Sequence, residues 1–224
     1  MLEGSVLFKG LPESDRLAIE DRCVRLKLRN GTYLYHEGQP GDALYVVLSG
    51  RVSIWSGGER GEPTLLTVLG QGEMFGEMAV LSNEHLRTAS AQAMSRLEVI
   101  QILRADIDLL RRKHPRVNDV FLTVLIQRIQ RLTIQVAELV ELDGSTRLFR
   151  QLSRLGDVFG KRPGAHIPIS QQQLASMIGL GLRLTNRALN DAQRDGALTL
   201  GRGWIAVDDW NMVRRLAGWR YRTD

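Results

Sequence analysis

Short apolar segments punctuated by glycine fill residues 31–103 of the chain. Leu44–Leu48 has the composition of a strand, and Arg51–Trp55 alternates apolar with polar residues before a glycine-rich turn. Thr64–Leu69 and Leu97–Ile102 continue the series. Strands this closely spaced predict an antiparallel barrel or roll, and a sandwich would satisfy the same pattern.

A different period begins after Pro115, where apolar residues recur at 3-4-3-4-3 spacing: Leu122, Leu125, Ile129, Leu132, Val136 and Leu139. This spacing predicts one long helix with an apolar seam. The seam could pack on the chain's own core or on the same helix of a second copy. Its regularity, and the glutamines and arginines beside it, favour a two-helix coiled coil, so we predict a homodimer.

The long helix is predicted to end at Asp143, which can cap a following amphipathic helix containing Leu148 and Leu155. Residues 156–164 contain three glycines and a proline, which predicts a loop.

Two short helices and a hairpin are predicted beyond this loop. Ser170 and Gln173 form a capping-box pattern at the start of the first helix. A glycine turn then leads to a second helix from about Leu182 to Asp195. The segment from Leu198 to Val207 fits a small hairpin. Two helices joined by a glycine turn and followed by a hairpin indicate a winged helix-turn-helix.

The composition is that of a globular protein, with 224 residues, 43% hydrophobic and 25% charged. No apolar run reaches the roughly 18 residues that cross a bilayer, and the N-terminus lacks the pattern of a signal peptide, so we predict a cytoplasmic protein without a membrane partner. The single cysteine, Cys23, can form neither an internal disulfide nor a metal cluster, and we expect a small buried residue there and no bound metal.

Charge is divided unevenly along the chain. The formal net charge is +5, but residues 1–143 carry −2 and residues 144–224 carry +7 with no glutamate. A basic C-terminal third fits a polyanionic partner, and it fits a solvated basic surface equally well.

The richest candidate chemistry lies in one segment and in the Arg87-Thr88 pair ten residues after its glutamate. Glu77 can accept a hydrogen bond from a ribose hydroxyl, and Arg87 offers a planar set of donors suited to phosphate. Gly76 lets the backbone approach a ligand closely. The segment is Phe75-Gly76-Glu77-Met78-Ala79-Val80-Leu81.

This segment resembles the phosphate-binding cassette of the CRP/FNR family, the bacterial cyclic-AMP receptor proteins. The winged helix resembles the DNA-binding domain of the same family, and together the two resemblances cover almost the whole chain. They imply an α+β fold with a cyclic-nucleotide-binding β-roll (1–115), a dimerisation helix and hinge (116–143) and a winged-helix DNA-binding domain (144–224).

The resemblance also implies a binding site for the nucleotide. Met78 and Ala79 would line it with the other cassette residues, and Arg128 of the long helix would be the ionic partner of Glu77. In the family a Thr-Ser pair contacts the adenine edge, and Leu132 and Thr133 occupy those positions here. With one hydroxyl lost, we expect cyclic AMP as the effector but weak discrimination against cyclic GMP.

On DNA, the predicted base-reading residues are Leu182, Arg183, Asn186 and Arg187 of the second short helix, and a phosphate contact fits Arg183 nearly as well. Ser170 and Gln171, at the start of the first, are expected to contact phosphate. The family's recognition helix often opens with Arg-Glu, where this chain has Leu182 and Arg183. We therefore expect a half-site that differs from that of receptors with Arg-Glu.

These observations predict a regulator that binds double-stranded DNA and, by resemblance, RNA polymerase, and they do not favour an enzyme. No nucleophile-elbow, P-loop or zinc-protease motif is present, and the four histidines are scattered. One cysteine cannot hold an iron–sulfur cluster. The alternatives are a regulator of the same type that senses another ligand, such as haem, or one that is active without an effector.

Overall fold

The computed structural model describes residues 12–57 and 63–219. The chain divides into two compact units, Met1–Pro63 with Val68–Leu132 and Thr64–Thr67 with Thr133–Asp224. None of the described helices is both long enough and apolar enough to cross a membrane.

The N-terminal part of the described chain contains two four-stranded sheets, ordered β1-β8-β3-β6 and β2-β7-β4-β5. Strand β8 pairs antiparallel with β1 and β3, and β7 pairs antiparallel with β2 and β4. This arrangement confirms the predicted β-roll. Its elements are α1 (Glu13–Glu20), β1 (Val24–Leu28), β2 (Tyr33–Tyr35), β3 (Ala43–Ser49), β4 (Val52–Ser56), β5 (Thr64–Leu69), β6 (Met74–Phe75), α2 (Glu77–Leu81), β7 (Ser90–Ala93), β8 (Leu97–Leu103) and α3 (Arg104–Lys113).

Strand β3 is buried on both faces because it lies between two cores. Ala43, Tyr45 and Val47 belong to the apolar cluster between the two sheets. Leu44 and Val46 point the other way, into a cluster with residues of α3 and of the long helix that follows. Alternate side chains of a strand face opposite sides, so an uninterrupted apolar run is what this central position requires.

The long helix α4 (Val117–Glu141) begins two residues after Pro115, as predicted. Its first turns pack on the roll through Val117 and Phe121. The apolar seam is not covered in the same way, since Leu122, Ile129, Leu132, Val136 and Leu139 are 53–62% exposed. In the described chain the seam therefore presents an apolar surface rather than packing on the chain's own core.

The second unit is a winged helix with a three-stranded antiparallel sheet ordered β10-β11-β9. Asp143 caps α5 as predicted, accepting from the backbone N–H of Thr146 at 3.0 Å and from its hydroxyl at 2.6 Å, and these bonds lower the pKa of Asp143. The elements are α5 (Gly144–Phe159), β9 (Ala165–Ile167), α6 (Gln171–Met177), α7 (Leu182–Arg194), β10 (Leu198–Gly201), β11 (Trp204–Val207) and α8 (Trp210–Leu216).

The loop predicted to start at Gly156 is wrong in its first four residues, because α5 continues to Phe159. Gly156 is helical and buried against Trp210, and a Cβ at this position would lie 2.2 Å from the Trp210 ring. This glycine allows two elements to approach closely rather than ending a helix. Strand β9, just after the loop, was not predicted from the sequence.

Candidate functional site

The cassette begins at a left-handed turn between β6 and α2. Gly76 has φ 77°, a conformation that L side chains rarely adopt. A Cβ on Gly76 would also lie 2.7 Å from Nη1 of Arg87. Both the backbone and the packing therefore require glycine, and the turn places Glu77 as the first residue of α2.

Glu77 is completely buried and is paired with Arg128 of α4 through its Oε1 atom. Arg128 also donates to the carbonyl oxygen of Met74 at 2.6 Å. Among the described residues, Oε2 of Glu77 has no hydrogen-bond partner. Burial raises the pKa of Glu77 even though Arg128 opposes the shift. The site thus holds a buried carboxylate with one oxygen that has no hydrogen-bond partner among the described residues.

Arg87 is 5% exposed, and its guanidinium is held by backbone and aromatic groups. Nη1 donates to the carbonyl oxygens of Ala43 at 2.8 Å and Gly76 at 3.0 Å. The guanidinium carbon lies 4.1 Å from the ring centroid of Tyr35. Nε is buried and makes no hydrogen bond within the described structure. Arg87 therefore keeps donors that an anion could use.

A groove of about 610 Å³ opens beside Arg87, which is a size suited to a small ligand. Met78 is 46% exposed at this groove, whereas Ala79 is 1% exposed and lies in the protein interior. The complete lining is Glu37, Gly38, Met78, Ser82, Asn83, Glu84, Leu86, Arg87 and Thr88.

The structure thus brings Gly76, Glu77, Arg87 and Arg128 together around one buried charge cluster. The predicted purine-contacting residues, Leu132 and Thr133, lie about one turn beyond Arg128 on α4, and both are exposed. Their contact with a purine stays a prediction.

The helix-turn-helix is formed by α6 and α7. The capping box at Ser170 is present, with its hydroxyl accepting from the N–H of Gln173 at 3.1 Å. Gly179 has φ 62° in the turn, and Gly181 is the N-cap of α7. Thr185 and Leu189 are among the residues that bury one face of α7.

The opposite face of α7 presents Leu182, Arg183 and Arg187 to solvent. Asn186 differs from these residues because its Oδ1 atom is buried and has no hydrogen-bond partner in the part of the chain that the structure describes. Reading an adenine through both amide atoms would require this side chain to rotate. Gln171 is partly buried in the first turn of α6. The phosphate contacts at the start of α6 and the base contacts of α7 stay predictions.

Tyr35 and Gly41 were missed by the sequence analysis although both contact Arg87. Tyr35 lies in β2, whose Tyr33-Leu34-Tyr35 run has the aromatic enrichment of a strand. That signal could have indicated a strand, but it could not indicate contact with an arginine far along the chain.

Cys23 is half-buried rather than buried, and burial together with the carboxylates of Asp106 and Glu20 raises its pKa to about 12. Across residues 12–57 and 63–219, no three His, Cys, Asp or Glu side chains are grouped as metal ligands would be.

Comparison with known proteins assigns both halves of the chain. Residues 25–114 match the model of the cyclic nucleotide-binding domain, and residues 146–216 match the Crp-like helix-turn-helix domain. The chain is 30% identical over 217 residues to the cyclic AMP receptor protein of Thermus thermophilus, covering 96% of this chain and 98% of that protein.

Two further comparisons agree with this assignment. The chain is 28% identical to a CRP-like cAMP-activated global transcriptional regulator of Mycobacterium tuberculosis, covering 93% of this chain and 95% of the relative. The crystal structure of the Thermus thermophilus catabolite activator protein is 27% identical with a TM-score of 0.54, covering 96% of this chain and 99% of that one.

Proposed function

This chain belongs to the CRP/FNR family of transcriptional regulators, and from that premise we propose that it is a homodimer whose DNA binding responds to a cyclic nucleotide. The observation that carries the proposal is the buried Glu77 carboxylate, which has one oxygen without a partner among the described residues and lies in the same charge cluster as Arg87. Such a pair suits a ligand with a hydroxyl group and an anionic phosphate.

In the proposed complex, the ribose hydroxyl donates to Glu77 while the cyclic phosphate accepts from Arg87. Arg128 holds Glu77 in its ionised form, so that the carboxylate can accept a hydrogen bond. Because both named relatives are described as cyclic AMP receptors or cAMP-activated, cyclic AMP is the first effector to test. Cyclic GMP is the second, since Leu132 offers no hydroxyl to the purine edge.

The exposed seam of α4 supports a second copy of this chain as its partner. A large continuous apolar strip on one helix is unfavourable in water, and a symmetric pairing covers it in both copies at once. Effector binding beside Arg128 would act on the same helix that carries the seam, which offers a route from one site to the other.

Two copies of α7, related by the dimer axis, would enter successive major grooves. The site would be an inverted repeat with half-site centres about 34 Å apart. Arg183 and Arg187 are the proposed base contacts, and the N-terminus of α6 at Ser170 and Gln171 is the proposed phosphate contact. RNA polymerase is the further partner that we propose for the bound dimer.

Titration calorimetry with cyclic AMP and cyclic GMP tests the effector, and selection of random DNA with and without nucleotide tests the regulator. We expect one site per protomer and enrichment of an inverted repeat when nucleotide is present. Failure of any palindrome to exceed random DNA would contradict the proposal. Palindrome binding without nucleotide binding would support an effector-independent regulator, or one that binds haem if the purified protein shows a Soret absorption.

A further inference from the structure

An aromatic ring lies over the guanidinium of Arg87 and fixes its plane. The ring of Tyr35 lies 4.1 Å from the guanidinium carbon, within the range of a cation–π contact, and the ring of Tyr45 lies 5.5 Å away. Tyr35 is itself held by Tyr45 at 5.7 Å and by Phe75 at 6.3 Å between ring centroids. A ring with two aromatic neighbours cannot easily turn away from the arginine.

Two glycines leave the space that this arrangement needs. A Cβ on Gly41 would lie 2.5 Å from Nε and 2.7 Å from the guanidinium carbon of Arg87. A Cβ on Gly76 would lie 2.7 Å from Nη1. Gly41 does not have a positive φ, so its backbone does not require glycine. The constraint on this position is the close approach of Arg87 together with that of Ala79, whose Cβ would lie 2.7 Å from a Cβ on Gly41.

The result is an arginine whose conformation is selected before any ligand arrives. A free arginine side chain loses considerable rotamer entropy when a ligand orders it. Here the fold has already fixed that side chain through Tyr35 and the carbonyl oxygens of Ala43 and Gly76. Binding an anion to a pre-ordered donor group is tighter because less order is created on binding.

We propose that Tyr35 is a positioning residue of the nucleotide site, whose ring face holds the Arg87 guanidinium in place for the cyclic phosphate, and that Gly41 provides the space for it. This inference rests on the proposed function, because it concerns the same cassette. It assigns a role in phosphate binding to a residue of β2, outside the cassette segment itself.

Calorimetry with cyclic AMP on Tyr35→Leu and Tyr35→Phe tests the proposal. If Arg87 must be ordered by the ligand instead of by the ring, binding should be about 2- to 12-fold weaker for Tyr35→Leu, whereas Tyr35→Phe keeps the ring face and should remain within about twofold of the parent. In an Arg87→Leu background, Tyr35→Leu should add less than about twofold, because the group it positions is gone. A general loss of structure would weaken binding in both backgrounds.

Two further variants make the test decisive. Tyr33→Leu removes the exposed tyrosine of the same strand and should leave the affinity unchanged. Gly41→Ala would press on Arg87 and on Ala79 of the cassette and should also weaken binding, which provides a second measurement if Tyr35→Leu does not fold. If Arg87→Leu weakens binding but neither Tyr35→Leu nor Gly41→Ala does, the positioning role of Tyr35 is refuted while the proposed nucleotide site still stands. If the parent binds no cyclic nucleotide, or Arg87→Leu binds like the parent, the proposed site itself fails.

Discussion

Arginine side chains in the two units differ in how much freedom the fold leaves them. Arg87 is 5% exposed and is held by two backbone carbonyl oxygens and an aromatic ring. Arg183 and Arg187 extend from α7 into solvent. A fixed donor group suits a small ligand of constant geometry, while a free one can adjust to base edges and phosphates on DNA. Burial therefore fixes the Arg87 guanidinium before any ligand binds, whereas exposure leaves Arg183 and Arg187 able to adjust.

Among the buried charges, substitution of Arg128 is expected to have the largest effect on stability. Arg128→Leu would leave the Glu77 carboxylate buried without its cation, and we expect the free energy of unfolding to fall by about 3 kcal/mol at pH 8. Urea denaturation at a fixed protomer concentration would measure the change, since the proposed dimerisation would make stability depend on concentration.

The same variant should show a pH dependence of known sign. Burial holds the folded-state pKa of Glu77 above its ordinary value of 4.5. The contribution of Glu77 to the free energy of unfolding is therefore fully present below pH 4.5, and it is lost as the pH rises through the folded-state pKa. Removing Arg128 raises that pKa further, and the destabilisation should therefore shrink from pH 8 to pH 5.

Arg25→Leu breaks the more exposed pair with Glu98 and should cost less than about 1 kcal/mol at either pH. An equal cost for the two variants would contradict the distinction.

Arg87→Leu tests the role of the buried arginine through the affinity for cyclic AMP. Because a phosphodiester would be buried without a cation, we expect a loss of at least about 2–3 kcal/mol in cyclic AMP affinity by calorimetry. Arg183→Leu removes an exposed arginine and should not change this affinity. Unchanged binding by Arg87→Leu would show that the phosphate lies elsewhere.

On the exposed side, Arg187→Ala should cost about 1–3 kcal/mol in DNA affinity and relax the preference at one base pair per half-site. A selection experiment followed by fluorescence titration would measure both effects. Arg194→Ala is the matched control on the same helix, where the arginine is paired with Asp191. If Arg187→Ala weakened all sequences equally, Arg187 would be a phosphate contact instead.

The smallest expected effect concerns the purine. Thr133→Ala should cost about 0.5–1.5 kcal/mol in cyclic AMP affinity if its hydroxyl contacts the adenine edge. Thr123→Ala, on the same helix, removes a hydroxyl that donates to the carbonyl oxygen of Asp119 and should leave the affinity unchanged. With only one such hydroxyl, the parent should prefer one nucleotide by less than about a hundredfold, or 2.7 kcal/mol. A larger preference would contradict this assignment.

Features set by local spacing could be predicted from the sequence. The β-strands follow from alternation between glycines, the capping box at Ser170 from two side chains three residues apart, and the seam of α4 from its heptads. The pairing of Arg128 with Glu77 was expected only by resemblance. Its residues lie on different elements, and no local pattern joins them.

Features set by tertiary packing could not be predicted in this way. The glycines and the proline of residues 156–164 predict a loop that includes Gly156, whereas this glycine allows Trp210 to pack against α5. The contact of Tyr35 with Arg87 depends on β2 and the cassette meeting in three dimensions. In both cases the physical reason lies in a neighbour distant along the chain.

The protonated thiol of Cys23 makes this protein suitable for site-specific fluorescent labelling. The thiolate is the species that attacks a maleimide, and the raised pKa of Cys23 leaves very little thiolate at pH 7. A second thiol introduced on the surface, for example by Arg202→Cys in the wing, would react first without removal of the native cysteine. A dye placed there would report arrival at DNA in real time, and dyes on two protomers would report the distance between their wings.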